Sequence, residues 1–108
     1  MSKRHPLELL EAWYSGNCDG TWEHQYGVEI STLDNPGWQV RIDLKGSPVD
    51  TAEGPIVELT RSERDWVHCR IADGQFQGFG GPNNLSEILQ HFQRILGGQP
   101  PSSGGVTT

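Results

Sequence analysis

Apolar and polar residues alternate along two neighbouring stretches of the chain, residues 26–32 and 38–44. Alternation with a period of two is typical of a β-strand that buries one face. Between the two stretches lies the sequence Leu-Asp-Asn-Pro-Gly, in which proline followed by glycine suits the centre of a type II turn. The pattern therefore predicts a β-hairpin.

The length of the loop decides which residues face each other across this hairpin. A five-residue loop, residues 33–37, sets Glu29 opposite Arg41, whereas a tight loop at residues 35–36 would set Glu29 opposite Ile42. A slip of one residue would turn the apolar side chains to the wrong face of the sheet. We therefore predict the longer loop, with Glu29 and Arg41 paired on the outer face.

Three further strands follow the same alternation, over residues 56–61, 66–72 and 75–79. The last two are separated by Asp73-Gly74, which is a strong hairpin signal because both residue types tolerate positive φ. The turn before them most simply pairs Leu59 with Cys69. Together these three strands are expected to form an antiparallel meander.

Helical periodicity marks both ends of the predicted sheet. Residues 6–15 place apolar side chains at i, i+3 and i+7, with a proline in the first turn and a glycine just beyond. A longer apolar stripe covers residues 85–96, preceded by Asn84 as a good N-cap, with Glu87 completing a variant of the capping box. The predicted fold class is α+β, an antiparallel β-meander of about five strands with an N-terminal and a C-terminal helix packed on the sheet.

The size of the chain predicts one domain. At 108 residues, a division into two would leave each half near the size that needs metals or disulfides to fold. We assign residues 1–98 to a single α+β domain. Residues 99–108 are rich in proline, serine, glycine and threonine, so we expect a disordered C-terminal tail.

Negative charge is concentrated in one part of the sequence. The formal net charge is −6, and because residues 1–17 and 59–108 are each balanced, the whole excess lies in residues 18–58. An acidic surface disfavours nucleic acid as a partner, since phosphate binding requires a basic face. It suits a basic protein or a cation. The alternative is that the excess only keeps the protein soluble.

The N-terminal residues indicate where the protein works. Glu8 and Glu11 interrupt the apolar residues of this segment, so it forms neither a signal peptide nor a membrane span. We therefore expect a cytoplasmic protein without a membrane partner. Cys18 and Cys69 are then expected to be reduced thiols rather than a disulfide.

Candidate chemistry is concentrated in residues 18–38. Cys18, Asp19, Glu23 and His24 could form a cysteine–histidine pair or a metal site, but the C-x-x-C or H-x-x-x-H spacing of zinc ligands is absent. We therefore expect no metal, no cofactor and no catalytic residue, and a protein that is not an enzyme. A small-ligand or cation-binding domain, or a small enzyme using Cys18 and His24, remains as an alternative.

The same segment holds candidates for binding a protein partner. Trp22 and Trp38 could be anchors, because tryptophan is enriched at interface hot spots. Trp38 lies on an alternating strand and is expected in the core, whereas Trp22 suits core and interface equally. The side chains of Asp19, Glu23 and Asp34 fall in predicted loops, from which they can project towards a partner.

A second candidate surface lies on the last predicted hairpin. There His68 and Phe79 are expected to share the outer face near Arg70. They form a secondary contact surface or lie under a loop.

Four segments of the chain, taken in order, resemble one protein family. They are W-Y-x-x-x-C-D-G-x-W-E-H-x-x-G over residues 13–27, T-L-D-N-P-G-W over 32–38, I-D-L over 42–44 and G-G-P-N-N-L over 80–85. In this combination they look like the immunity protein 53 family of bacterial polymorphic toxin systems. The likeness runs from about residue 9 to residue 96, and Thr21 departs from it, because many members are expected to carry an acidic residue there.

This resemblance implies a cytoplasmic protein, encoded beside a toxin, that protects the cell by binding that toxin. An acidic surface would then cover a basic active-site cleft of the kind that a nuclease toxin needs to bind phosphate. On this hypothesis carboxylates mimic the charge of the substrate and Trp22 is an apolar anchor. The expected partner-binding residues are Asp19, Trp22, Glu23, His24, Glu29, Asp34 and Asp43.

Overall fold

A computed structural model describes residues 5–47 and 52–97. The helices are α1 (Pro6–Asn17), α2 (Trp22–Gln25) and α3 (Leu85–Gly97), and the strands are β1 (Val28–Leu33), β2 (Gly37–Asp43), β3 (Gly54–Ser62), β4 (Asp65–Ala72) and β5 (Gln75–Gly80). The α+β class, the five antiparallel strands and the two terminal helices are as predicted. The predicted C-terminal tail, residues 99–108, lies outside the described residues.

The five strands form one antiparallel sheet in the order β1-β2-β5-β4-β3. The sheet consists of the β1–β2 hairpin and the β3–β4–β5 meander, which meet where β2 bonds to β5. After β2, which lies next to the β1 edge, the chain therefore passes to the far edge of the sheet at β3. Strands β1 and β3 are the two edges.

The register of the first hairpin is the one that the longer loop predicts. Glu29 pairs with Arg41 and Ile30 with Val40, and the Glu29 and Arg41 side chains approach to 3.9 Å on the outer face. At the β4–β5 turn, Asp73 and Gly74 both have positive φ, 57° and 71°, as the Asp-Gly signal requires.

The predicted register between β3 and β4 is wrong by two residues. Cys69 pairs with Val57 instead of Leu59, and Leu59 pairs with Val67. The turn is tighter than we assumed, because residues 63–64 alone connect the two strands and a bulge between Thr60 and Ser62 takes up the extra residue. A shift of two leaves each side chain on its expected face.

Helix α3 covers one face of the sheet. Its Ile88 and Phe92 are buried, and Ile88 approaches the backbone of β5 at Gly78, where a Cβ atom would collide with its side chain. Helix α1 packs on α3 through Trp13, whose ring meets that of Phe92 edge to face at 5.2 Å. The core lies between this layer and the inner face of the sheet, and comprises Leu10, Val40, Ile42, Leu44, Val67, Cys69, Phe76, Ile88, Leu89 and Phe92.

The opposite face of the sheet carries no helix in the part of the chain that is described. Alternation along β4 points His68 and Arg70 to this side, and both are exposed. We call this side the open face. None of the helices described here is long and apolar enough to cross a membrane.

Candidate partner-binding site

The turn between α1 and β1 is built on two carboxylates that bond to each other's backbone. Asp19 Oδ1 accepts hydrogen bonds from the backbone N–H groups of Thr21 and Trp22, at 2.9 and 3.0 Å. Glu23 accepts in return from the N–H groups of Asp19 and Gly20, at 2.9 and 2.8 Å. This reciprocal arrangement resembles a capping box and starts the one-turn helix α2. We had expected a loop here.

Hydrogen bonds to the charged form keep both carboxylates ionised. The N–H groups of Trp22 and Thr21 lower the pKa of Asp19. The pKa of Glu23 is lowered mainly by its own N–H, with further donors at Gly20 and Asp19. Both side chains remain accessible to solvent, and neither forms an ion pair with Lys or Arg within the described residues. The turn thus fixes two negative charges that form no ion pair with a lysine or arginine in the part of the chain described.

Trp22 holds this turn against the body of the protein. Its side chain is only 5% exposed, and its Nε1 donates to the Lys45 carbonyl at 2.9 Å. The indole contacts Trp13, Tyr14 and Tyr26, with ring centroids 5.7, 5.9 and 6.1 Å away. Trp22 is therefore not an exposed anchor, because a partner cannot reach most of its ring. Its neighbour His24 is exposed.

More carboxylates lie at the same end of the sheet. Asp43, the last residue of β2, accepts from the Gly27 N–H and from Gln75 Nε2, at 2.9 and 3.0 Å. At the adjacent β4–β5 turn, Glu53 accepts from the Asp73 N–H at 3.1 Å. We call this end of the molecule the acidic end; its carboxylates are those of Asp19, Glu23, Asp43, Glu53 and Asp73.

The remaining two predicted acids lie along β1, at increasing distance from this end. Asp34 lies in the β1–β2 turn, at the other end of the sheet. Asp43 is the last residue of β2, so the length of this strand separates the two acids, a distance of about 20 Å. Glu29 lies on the open face near the start of β1. The structure thus brings Asp19, Glu23, His24 and Asp43 to one end, and it strings Glu29 and Asp34 along the β1 edge.

The two cysteines lie in different surroundings. Cys18 is exposed and its Sγ contacts the carbonyl of Tyr14 at 3.3 Å. Cys69 is buried, and burial raises the pKa of its thiol to about 12. Both are free thiols. Within residues 5–47 and 52–97, no three His, Cys, Asp or Glu side chains are grouped so that they could hold a metal ion.

The open face bears a second cluster, on β3, β4 and β5. The rings of Trp66 and His68 meet at 5.3 Å, and the Arg70 guanidinium lies 5.4 Å from the centre of the Phe79 ring. With Glu58 these side chains line a cavity of about 240 Å³. We call it the open-face pocket. The sequence indicated His68, Phe79 and Arg70, and it placed Glu58 on the same outer face beside Arg70, although the structure pairs Glu58 with His68. Trp66 was missed, although the alternation that turns His68 to this face turns Trp66 to it as well.

Comparison with known proteins identifies the family. The model of one family, described as immunity protein 53, matches residues 7–97. Neither the curated proteins nor the solved structures gave a match. The matched residues include α1, the whole sheet and α3, and so almost all of the described fold. The chain belongs to the immunity protein 53 family.

Proposed function

We propose that this protein binds a cognate toxin and neutralises it, covering a basic active site of the toxin with its acidic end and the β1 edge. It would act in the cytoplasm of a bacterium that carries a polymorphic toxin system. A nuclease is one toxin that fits, because a cleft that binds phosphate is basic. The protein itself acts as an inhibitor and catalyses no reaction.

The arrangement of Asp19 and Glu23 carries this proposal. Their four hydrogen bonds come from backbone N–H groups, so the carboxylates are held in place while their charge remains available. A partner that brings cationic side chains therefore meets ordered anions and orders few additional side chains on binding. Carboxylates buried in ion pairs within the protein would have argued against such a role.

The other acids extend the same surface. Asp43 bonds to the residue before β1, Glu29 lies on β1, and Asp34 follows its end. An interface of standard size buries about 800 Å² on each partner, and a patch of that area is roughly 30 Å wide. One toxin domain lying along β1 could therefore cover Asp19, Asp43 and Asp34 together. His24, beside Glu23, lies at the rim of this surface.

Trp22 has a supporting role in the proposal. Its bond to Lys45 joins the turn to the end of the sheet, so it positions Asp19 and Glu23 without contacting the toxin. The sequence suited a core position and an interface position for Trp22 equally, and this supporting role replaces the apolar anchor of the earlier hypothesis.

The alternatives have less support. An enzyme would need Cys18 and His24 beside a cavity, but the cavity on the open face includes neither residue. A cation-binding domain would need grouped ligands, which the described residues do not provide. A small-ligand domain could use the open-face pocket, whose lining we consider below.

Co-expression in cells tests the proposal. We would express the toxin encoded beside this gene together with wild-type protein or with a triple-amide variant, Asp19→Asn, Glu23→Gln and Asp34→Asn. Asparagine keeps the capping oxygen of Asp19, and glutamine keeps one acceptor at Glu23. We expect wild type to rescue growth and the folded triple-amide variant to fail.

The matched control removes three carboxylates from the charge-balanced segments, through Glu8→Gln, Glu11→Gln and Glu63→Gln. All three residues are exposed, so this variant should rescue growth like wild type. Rescue by the triple-amide variant would show that inhibition does not depend on these charges. Failure of the wild-type protein to rescue would contradict the toxin-binding function itself.

A further inference from the structure

The open-face pocket presents unpaired groups of both charges. Arg70 donates through Nε to Gln77 at 2.9 Å, and its two terminal nitrogens have no partner within the described residues. The carboxylate of Glu58 likewise has no hydrogen bond or ion pair there. His68 contacts Thr60 at 3.2 Å, which leaves its second ring nitrogen open. The pocket is thus lined by a cation and an anion that do not pair with each other.

Aromatic rings supply most of the remaining wall. Trp66 and Phe79 are half-buried, whereas His68 and Arg70 are exposed, so the rings lie at the base and the charged groups at the rim. Tryptophan and arginine are among the residue types most enriched at interface hot spots. No element of the described chain covers this part of the sheet.

The two charges select the kind of side chain that can enter. A lysine or arginine from a partner could pair with Glu58 but would also come close to Arg70, and an aspartate or glutamate could pair with Arg70 but would also come close to Glu58. In each case repulsion offsets the attraction, while the charged group still loses hydration on entering. A neutral aromatic ring meets neither penalty, since it can stack on Trp66 or Phe79 and present its face to the Arg70 guanidinium.

We propose that the open-face pocket is a second contact site for the toxin and that it receives an aromatic side chain, with tyrosine the best match. The tyrosine ring lies among the aromatic walls, and its hydroxyl donates to the unpaired carboxylate of Glu58. This inference rests on the proposed function, because the occupant belongs to the same toxin.

The position of the pocket is compatible with one bound toxin. β4 is separated from β1 by β2 and β5, so the pocket lies about 14 Å from the β1 edge, at about 4.8 Å per strand. Glu29 points to the same open face as His68. A toxin that covers the β1 edge and extends over the open face can thus reach both, with charge at the edge and an apolar anchor in the pocket.

A small probe tests the pocket without the toxin. The protein would be labelled with fluorotryptophan, and the fluorine NMR signal of Trp66 assigned from a Trp66→Phe variant. Para-cresol, methylguanidinium and acetate then stand in for tyrosine, arginine and acidic side chains. We expect para-cresol to shift the Trp66 signal while those of Trp13, Trp22 and Trp38 stay unchanged.

Two variants sharpen this test. Arg70→Ala and Glu58→Gln both change exposed side chains, so folding should be retained, and each should weaken the para-cresol response several-fold. A Trp66 signal that responds to methylguanidinium or acetate but not to para-cresol would overturn the proposal. So would a signal that responds to none of the three.

Binding to the toxin provides the second test. Arg70→Ala should weaken the affinity at least tenfold, because the pocket would lose its cation–π contact with the toxin ring. Arg64→Ala removes the same charge from the exposed β3–β4 turn, outside both proposed contact sites, and is the matched control that should change affinity much less. Unchanged affinity of Arg70→Ala would exclude the toxin as the occupant even if para-cresol binds. Absence of any binding by wild type would instead overturn the proposed function, and with it the toxin as occupant.

Discussion

Asp19 and Glu23 each accept hydrogen bonds from the stretch of backbone that carries the other. Asp19 bonds to the start of the one-turn helix that contains Glu23, and Glu23 bonds back to the N–H groups of Asp19 and Gly20. Because these donors are backbone groups, they cannot move away when a partner approaches. The same two carboxylates thus stabilise the turn and provide the negative charge that, in our proposal, the toxin recognises.

Acid should destabilise the protein through its hydrogen-bonded and paired carboxylates. The Arg61 guanidinium lowers the pKa of Asp65 and of Glu87, with the Asn84 amide as a second donor to both. Since the folded pKa values lie below the unfolded ones, the unfolded chain binds protons more readily. The stabilisation is complete above the unfolded values of about 4 and is lost as the pH falls through the lowered values.

We therefore expect the urea midpoint to fall modestly below about pH 6.5, because burial lowers the pKa of His91 in the folded protein, and to fall further below about pH 4.5 as these carboxylates are protonated. Asp65→Asn should make that fall shallower, since it removes one of the groups whose pKa is lowered. Glu63→Gln removes a carboxylate from the same turn without disturbing Arg61 and is the control. An identical fall in the Asp65→Asn variant and in wild type would contradict the prediction.

Replacing Trp22 should reduce stability strongly. Trp22→Ala empties a buried aromatic site and should lower the free energy of unfolding by about 3–5 kcal/mol. Trp22→Phe keeps most of the packing but leaves the Lys45 carbonyl without its donor, and should cost about 1–3 kcal/mol. Urea unfolding gives both values. If Trp22→Ala has little effect on unfolding but abolishes toxin binding, the residue is a contact after all.

Replacing Gly78, on the inner face of β5, with alanine should lower the stability of the protein. The Cβ atom of Gly78→Ala would meet Ile88 of α3, and overpacking of this kind costs about 1–3 kcal/mol. Combining it with Ile88→Ala removes the Cγ2 methyl that the new Cβ would meet, so the double variant should be more stable than the sum of the single effects predicts. If the two changes in the free energy of unfolding simply add, the side chains at positions 78 and 88 are not in steric conflict, and the prediction is wrong.

The two thiols should react at very different rates. Cys18 is exposed, whereas Cys69 is buried and its pKa is raised to about 12 by desolvation, so almost none of it is thiolate at neutral pH. Iodoacetamide should therefore label one cysteine per folded chain, identified by mass spectrometry as Cys18, and both cysteines in urea. Labelling of Cys69 as fast as Cys18 under native conditions would contradict the burial seen here.

The sequence predicted the register between β1 and β2 correctly and the register between β3 and β4 incorrectly, and the difference has a physical reason. At Glu29 and Arg41 a slip of one residue reverses the buried face, so alternation selects the register. At Leu59 and Cys69 the error was a slip of two, which leaves every side chain on its face, and the apolar pattern therefore could not detect it. The central position of β5 in the sheet was also not predicted. Its inner face carries Gly78 where a buried strand usually has an apolar side chain, so the apolar pattern of β5 is weak.

The candidate site was predicted in part. Asp19 and Glu23 were identified by charge, but α2 is a single turn and too short to show helical periodicity, so their hydrogen bonds to the backbone were not foreseen. Trp22 could not be assigned from local sequence, because its burial depends on Lys45, which lies 23 residues away. Asp34 is separated from the acidic end by the length of a strand, a distance that spacing in sequence does not reveal.

The most direct test is the affinity of the purified protein for the toxin encoded beside it, measured over a range of salt concentrations. We expect the association rate of wild type to fall as the salt concentration rises, because salt screens the attraction between unlike charges that steers association. The triple-amide variant of Asp19, Glu23 and Asp34 should bind at least about 100-fold more weakly. The variant of Glu8, Glu11 and Glu63 should match wild type. Equal affinity of the triple-amide variant and wild type would contradict the claim that the acidic end and the β1 edge hold the toxin.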